Sequence, residues 1–312
     1  MLHRIVFLVI ATFLFNIGSS LKPVLVTGAS GRTGRLVFEQ LVKDPRFDPK
    51  ALVRSEKSAQ KLRKAIPQTT IDQIVVCDIT QLSADNENIA SYWQGNSPQI
   101  VICTSAVPVI SKRSLALAFL KAPFNLLRGK KPIDFRSFRF KWQGGQYPEQ
   151  VDYKGVINQI ELAKKIGVKH IVLVGSMGGT DPSNFLNSVG KDKDGNGNGD
   201  ILLWKRKAER YLVESGLDYC IIHPGGLTDG PAGVEDFVLD VNDILLERKK
   251  RSISRSDVAN LCVAALAEGE GKKIALDCIT QNVGEEGVTK VRSPEEAFKE
   301  FLAENKVYDY EL

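Results

Sequence analysis

The sequence predicts an α/β fold, a doubly wound parallel sheet with helices on both faces, and three observations carry that prediction. Short β-branched runs alternate with amphipathic stretches from Lys22 onward. The runs are apolar throughout, as strands covered on both faces are. A glycine-rich turn, VTGASGRTG, separates the first run from the first amphipathic stretch. The chain has 312 residues, 43% hydrophobic and 25% charged, enough for one full core. That balance excludes disordered, collagenous and disulfide-scaffold classes.

Taken in order, VLVT (24–27) opens the sheet and a helix follows over about 31–43. ALVR (51–54) precedes a helix over 56–66, IVVC (74–77) leads into a polar stretch, and IVIC (100–103) into an insert at 107–146. A helix over 149–166 leads to HIVLVG (170–175), and one over 202–215 to YCIIH (219–223). A helix over 257–267 then leads to KIALDC (273–278), and Pro294 opens a last helix through Ala303. One domain over 22–312 is expected, with right-handed crossovers.

Residues 1–20 have the shape of a signal-like leader: an apolar run at 5–17 after Arg4, then Gly18, Ser19 and Ser20. The run is shorter than the roughly 20 residues of a spanning helix. Five unclustered cysteines sit singly in apolar runs, no Asn-x-Ser/Thr sequon occurs, and the chain ends in DYEL rather than KDEL. A leader on a reduced-looking body points to an organelle reached through the secretory route, a plastid ahead of the endoplasmic reticulum.

Net charge is +5 and unevenly placed. The stretch 111–141 carries nine basic residues against the single acid Asp134, a local +8, so the remainder is net acidic. That excludes a fold-wide nucleic-acid surface. Leu115, Leu117, Phe119, Leu120, Phe124, Leu126 and Leu127 lie in the same stretch. Basic and apolar together suit either a lid packed on the globule or a peripheral membrane or protein contact through 111–141. The oligomeric state is not legible. Asp192, Asp194 and Asn196 imitate half a calcium loop, but Leu203 stands where its bidentate Glu belongs, so a surface turn and no metal are expected.

The glycine turn carries the chemistry. Gly28 makes the tight turn, Gly31 lets backbone N–H groups approach a pyrophosphate, and Gly34 permits close helix–strand packing, with Ser30, Arg32 and Thr33 between them. At the end of the second strand an NAD-selecting fold places an acid, but Arg54 stands here. With Arg32 it offers charge to a 2′-phosphate, so NADP(H) is expected over NAD(H).

The spacing GxxGxxG, with YPEQVDYKGVINQIELAKKIGVKHIVLVGSMGG (147–179) and LLWKRKAERYLVESGLDYCIIHPGGL (202–227), resembles the NmrA-like, atypical short-chain dehydrogenase/reductases, the NAD(P)-binding Rossmann proteins of plant and algal plastids. The resemblance covers about 23–280. It implies Asp78 and Ile79 near the adenine, Thr104, Ser105 and Ala106 beneath the nicotinamide ribose, and Pro224 and Gly225 lining the nicotinamide. It also implies Ser176 in the catalytic serine place and Lys207 in the lysine place, as a ribose ligand. Four residues before Lys207 stands Leu203 rather than tyrosine, and leucine transfers no proton. Three accounts follow: hydride transfer to a small or hydrophobic acceptor without the phenol, with His223 as a candidate acid; a phenol borrowed from Tyr147 or Tyr153, for which packing is the bland alternative; or NADP binding without turnover in a regulatory or assembly protein.

Overall fold

In the computed structural model, β1 (Lys22–Thr27) buries Val24, Leu25 and Val26 completely or nearly so, and lies between two parallel partners, β2 (Phe47–Val53) and β4 (Gln99–Ile102). The structure describes residues 21–83, 89, 98–129, 132–133, 138–192, 194–285 and 287–311. The expected leader and the middle of the insert, including Lys130, Lys131, Asp134 and Arg136, lie outside the described residues.

The sheet continues outward through β3 (Ile74–Val76) on one side and β7 (His170–Val174), β8 (Asp218–Pro224), β12 (Lys273–Gln281) and β10 (Asp236–Asp240) on the other. Its order is β10-β12-β8-β7-β4-β1-β2-β3, and every pairing is parallel except β10 with β12. The order reverses between β1 and β4, so the crevice beyond their C-terminal ends is where such a sheet binds ligands.

Helices cover both faces because each strand is apolar on both. On one face α1 (Arg32–Lys43) packs on α7 (Arg255–Glu268), which also carries α8 (Pro294–Ala303). On the other, α4 (Gly155–Lys165) packs against α6 (Ile201–Glu214), and a π-helical turn, Glu149–Lys154, leads into α4. α2 (Glu56–Ala65) flanks β2 and β3, and a one-turn α5 (Phe185–Ser188) leans on α6. The expected doubly wound class is what the fold is. Three features escaped the periodicity reading: the antiparallel edge strand β10, a small pairing of β9 (Gly226–Thr228) with β11 (Ser252–Ser254), and an antiparallel stem, β5 (Pro108–Ile110) with β6 (Phe140–Trp142), that closes the insert. The stem carries α3 (Lys112–Leu127). Asp192 Oδ1 accepts the backbone N–H groups of Asp194 and Asn196, each at 2.9 Å, as a surface turn requires. All five cysteines are free thiols.

Two glycines are dictated by geometry. Gly28 adopts φ 66°, and a Cβ there would lie 2.7 Å from the Cys103 carbonyl oxygen on the neighbouring strand's end. A Cβ on Gly34 would lie 2.4 Å from the Gly28 carbonyl oxygen. Gly34→Ala must push α1 off the sheet and is expected to cost about 1–3 kcal/mol. Urea unfolding measures it, and an unchanged midpoint would show that helix and turn do not pack this closely.

Candidate active site

The glycine turn ends in a helix whose N-cap, Gly31, brings no side chain to its first N–H groups. Gly31 N–H donates to Gly28 O at 2.8 Å, which closes the turn. Ser30 and Thr33 are half-buried in this turn and Arg32 is exposed, paired with Asp229 just beyond β9. Arg255 meets the same carboxylate at 2.9 Å, so Asp229 joins the glycine turn to the start of α7. The two cations hold the Asp229 carboxyl below the usual range despite the opposing effect of desolvation.

On the β2 side, Arg54 is exposed and donates from Nη1 to Gln146 Oε1 at 2.5 Å. Gln146 Nε2 in turn donates to Asp78 Oδ2 at 2.8 Å, while Asp78 Oδ1 receives the Thr80 amide at 3.0 Å and hydroxyl at 2.8 Å. Arg54, Asp78 and the end of the insert therefore form one rim. Ile79 is buried beneath it, its carbonyl accepting Asn158 Nδ2 at 2.9 Å, and its side chain would meet any Cβ placed on Gly155.

The floor is built around Asp152, which is fully buried in the turn before α4. Its carboxylate accepts Ser105 Oγ at 2.9 Å and the Ala106 amide at 3.1 Å, and meets Lys205 Nζ at 2.8 Å. An isolated buried carboxylate is costly, so this one is held by two hydrogen bonds and a cation. Thr104, Val156, Leu173, Gly175, Lys205 and Glu209 line the small cavity there. A cavity of about 500 Å³ lies against β10 and α8 and shares no residue with it.

Lys205, and not the expected Lys207, reaches this floor. Positions 205 and 207 lie about 200° apart around a helix, so one faces the floor and the other cannot. Lys205 is 12% exposed and ion-paired, whereas Lys207 is exposed, its Nζ 4.4 Å from the centre of the Trp204 ring. Four residues before Lys205 stands Ile201, buried, so the phenol is missing in this register as well. Tyr153 stacks on Trp204 at 5.4 Å, a packing role, and Tyr147 Oη accepts Gln150 Nε2 at 3.1 Å. Asp152 and Lys205 escaped the sequence reading. The signal was present in a lone acid on a buried helical face and in the spacing Lys205-x-x-x-Glu209.

Ser176 follows β7, half-buried, its hydroxyl donating to Met177 O at 3.2 Å. Pro224 and Gly225 end β8 beside it: Met177 N–H donates to Pro224 O at 3.1 Å, and a Cβ on Gly225 would lie 2.4 Å from Arg251 O. His223 does not reach the cleft as the expected acid. It is buried between two carboxylates, Nε2 3.1 Å from Glu209 Oε2 and Nδ1 3.3 Å from Asp277 Oδ1, neither contact aligned as a straight hydrogen bond, with the Tyr308 ring against it at 4.7 Å. Desolvation alone would lower the imidazolium pKa; Glu209, with Asp277, outweighs it and raises the value to about 9.

The family model described as NAD(P)H-binding matches residues 28–269. The chain belongs to that family. It is 42% identical to sanguinarine reductase of Eschscholzia californica over 86% of its own length and 92% of the relative's. A chloroplast protein of Arabidopsis thaliana is 41% identical over 86% of this chain and 72% of its own. The structure superposes on an oxidoreductase of Lactococcus lactis with TM-score 0.56 and 19% identity, covering 92% of this chain and 100% of that one. Family and relatives make this chain an NAD(P)H-dependent oxidoreductase of Rossmann fold.

The histidine has a pH signature. Its folded pKa lies above the unfolded value of about 6.5, so its stabilisation is complete below that pH and is lost as pH rises through about 9. Thermal unfolding should show stability falling across this window by at most about 3 kcal/mol. His223→Gln should be less stable below pH 6.5 and flat across the window; a wild-type profile with no slope there would refute the ion-paired assignment.

Proposed function

We propose that the protein is an NADPH-dependent reductase that delivers hydride to a small or hydrophobic acceptor in the crevice between β1 and β4, without a tyrosine acid. The observation that carries this is the Asp152–Lys205 pair, the charged group at the floor of the cavity beyond Thr104. The residues at the crevice fit a dinucleotide: Gly28 and Gly34 let the turn and α1 pack directly on the end of β4, and no side chain caps the first N–H groups of α1, which suits a pyrophosphate at that helix end. When bound, the reduced nicotinamide supplies the hydride.

In this reading the backbone of the glycine turn holds the pyrophosphate, and Arg54, with added charge from Arg32, selects the 2′-phosphate, Arg54 exchanging its neutral partner Gln146 for an anion. Asp78 and Ile79 support the adenine end, and Thr104, Ser105 and Ala106 the ribose. Asp152 fixes the Lys205 ammonium so that it binds the ribose hydroxyls and keeps a positive field at the reacting end. Ser176 orients the acceptor's polar atom, and the proton comes from the ammonium or from water. The relative from Eschscholzia californica, whose name is sanguinarine reductase, supports a reductase. The chloroplast relatives and the leader-like start support a plastid address. A fluorescent fusion of the full chain should then overlap chlorophyll in an alga whose plastid is reached through the secretory route, and a reticular pattern would overturn that address.

Arg54→Ala is expected to weaken NADPH by about 10- to 100-fold, as the loss of a charge-assisted pair does, and to leave NADH almost unchanged; equal losses refute the phosphate assignment. In stopped-flow mixing of the NADPH-loaded protein with quinones, flavins and enones, at least one acceptor should oxidise the nicotinamide. Lys205→Met should slow that step by 100-fold or more while Lys207→Met leaves it unchanged. No oxidation across the panel despite tight NADPH binding sinks the reductase proposal.

A further inference from the structure

Helix α3 wears its faces in the reverse of the usual order. None of its residues is buried, and the half-buried positions Ser114, Ala118, Ala122 and Asn125 form one narrow stripe. That stripe faces the returning strand: Ser114 Oγ accepts the Arg139 amide at 2.9 Å and Asn125 Nδ2 donates to Pro132 O at 3.3 Å. The large apolar side chains point the other way. Phe119, Leu120, Phe124 and Leu126 are 60–68% exposed and Leu127 is 85% exposed. A helix packed on a soluble domain turns such residues inward and its small polar ones outward. Lys112, Arg113, Lys121 and Arg128 are exposed around this apolar arc, and none makes an ion pair with another described residue.

We propose that α3 is a docking surface for an anionic lipid bilayer, its phenylalanines and leucines entering the headgroup region while Lys112, Arg113, Lys121 and Arg128 pair with lipid phosphates. Charge complementarity selects this occupant. The segment 111–141 carries a local +8 on an otherwise acidic chain, so a second copy brings two strongly basic segments together, whereas an anionic bilayer offers each charge a partner and each apolar side chain a solvent. Among the described residues no helix is long and apolar enough to cross a membrane, so α3 lies on the surface. This docking does not depend on the reductase reading.

Cosedimentation of the full-length protein with vesicles tests it. Binding is expected to mixed phosphatidylglycerol and phosphatidylcholine, with little to phosphatidylcholine alone, and release on raising salt to about 1 M, where screening is short-ranged. The combined variant Lys112→Gln, Arg113→Gln, Lys121→Gln and Arg128→Gln should weaken binding on the order of 100-fold or more. Phe119→Ser with Phe124→Ser should weaken it at unchanged charge; both sets alter exposed positions, so thermal midpoints should match wild type. Wild-type protein that ignores anionic vesicles, or binds the neutral ones equally through its leader, overturns the proposal. So does a pair of variants that bind as wild type does, or a phenylalanine variant whose only change is loss of a dimer.

Discussion

The close approach of the glycine turn to the end of β4 is the constraint on which the rest of the site depends. The chain leaves β1, reverses over the Cys103 carbonyl with Gly28 at positive φ, and re-enters a helix whose Gly34 rests on the Gly28 carbonyl. With no Cβ at either place, α1 sits low on the sheet, and no side chain caps its first amides. The same approach brings Cys103, and with it Thr104 to Ala106, into contact with the turn. The residues that receive Asp152 are therefore fixed by the packing that shapes the anion site, and Asp152 in turn positions Lys205. A change in how deeply α1 sits is felt at the floor of the cavity through backbone alone.

Behind that floor lies a second buried charge system with a different task. Glu209 stands one helical turn after Lys205 and lines the same cavity, but its carboxylate belongs to His223, which is also held by Asp277. Asp277 Oδ2 accepts the Asp243 amide at 2.6 Å, and Asp243 holds the Gly178 amide at 2.7 Å and Thr180 through its amide and hydroxyl. A path of hydrogen bonds and ion pairs thus runs from α6 through β8 and β12 to the loop after Ser176. Arg206 adds the chain's end to it, lying over the Tyr308 and Tyr310 rings and donating to the Asp309 carbonyl at 2.7 Å. Glu209 and Asp277 thus close on His223 from two sides in a space shut off from water, where each charged group needs a partner.

How much of this was legible depended on the range of the interaction concerned. Strands and helices are local, so VLVT, HIVLVG and YCIIH announced themselves, and the glycine turn lay between the first strand and helix where its chemistry requires. Lys207 was expected at the floor, but without a tyrosine to set the register the helix face was not legible, and two positions on a helix reverse the face, which puts Lys205 there. Reading instead from Asp152, a buried acid that needs a cation, leads to Lys205. His223 stood as a candidate acid beside a packed alternative, and its partners on α6 and β12, contacts that no local pattern records, make it the packed one. The edge strand β10 was missed for a related reason: Phe237, Val238 and Leu239 lie among acids whose partners, such as Arg292 for Asp236, come from much later in the chain.

The insert ties surface to site through its two ends. Its stem pairs Pro108 with Trp142 and Ile110 with Phe140, leaving the floor just after Ala106 and returning just before Gln146. Ala106 donates its amide to Asp152, and Gln146 bridges Arg54 to Asp78, so each end of the stem is anchored to a different wall of the crevice. A force applied to α3 therefore reaches both the floor and the rim without passing through the core. Since Gln146 occupies Arg54 with a neutral oxygen, weaker than a phosphate as a partner, the rim is held by a contact that an anion can displace. One glutamine side chain thus joins the end of the insert to both sides of the rim.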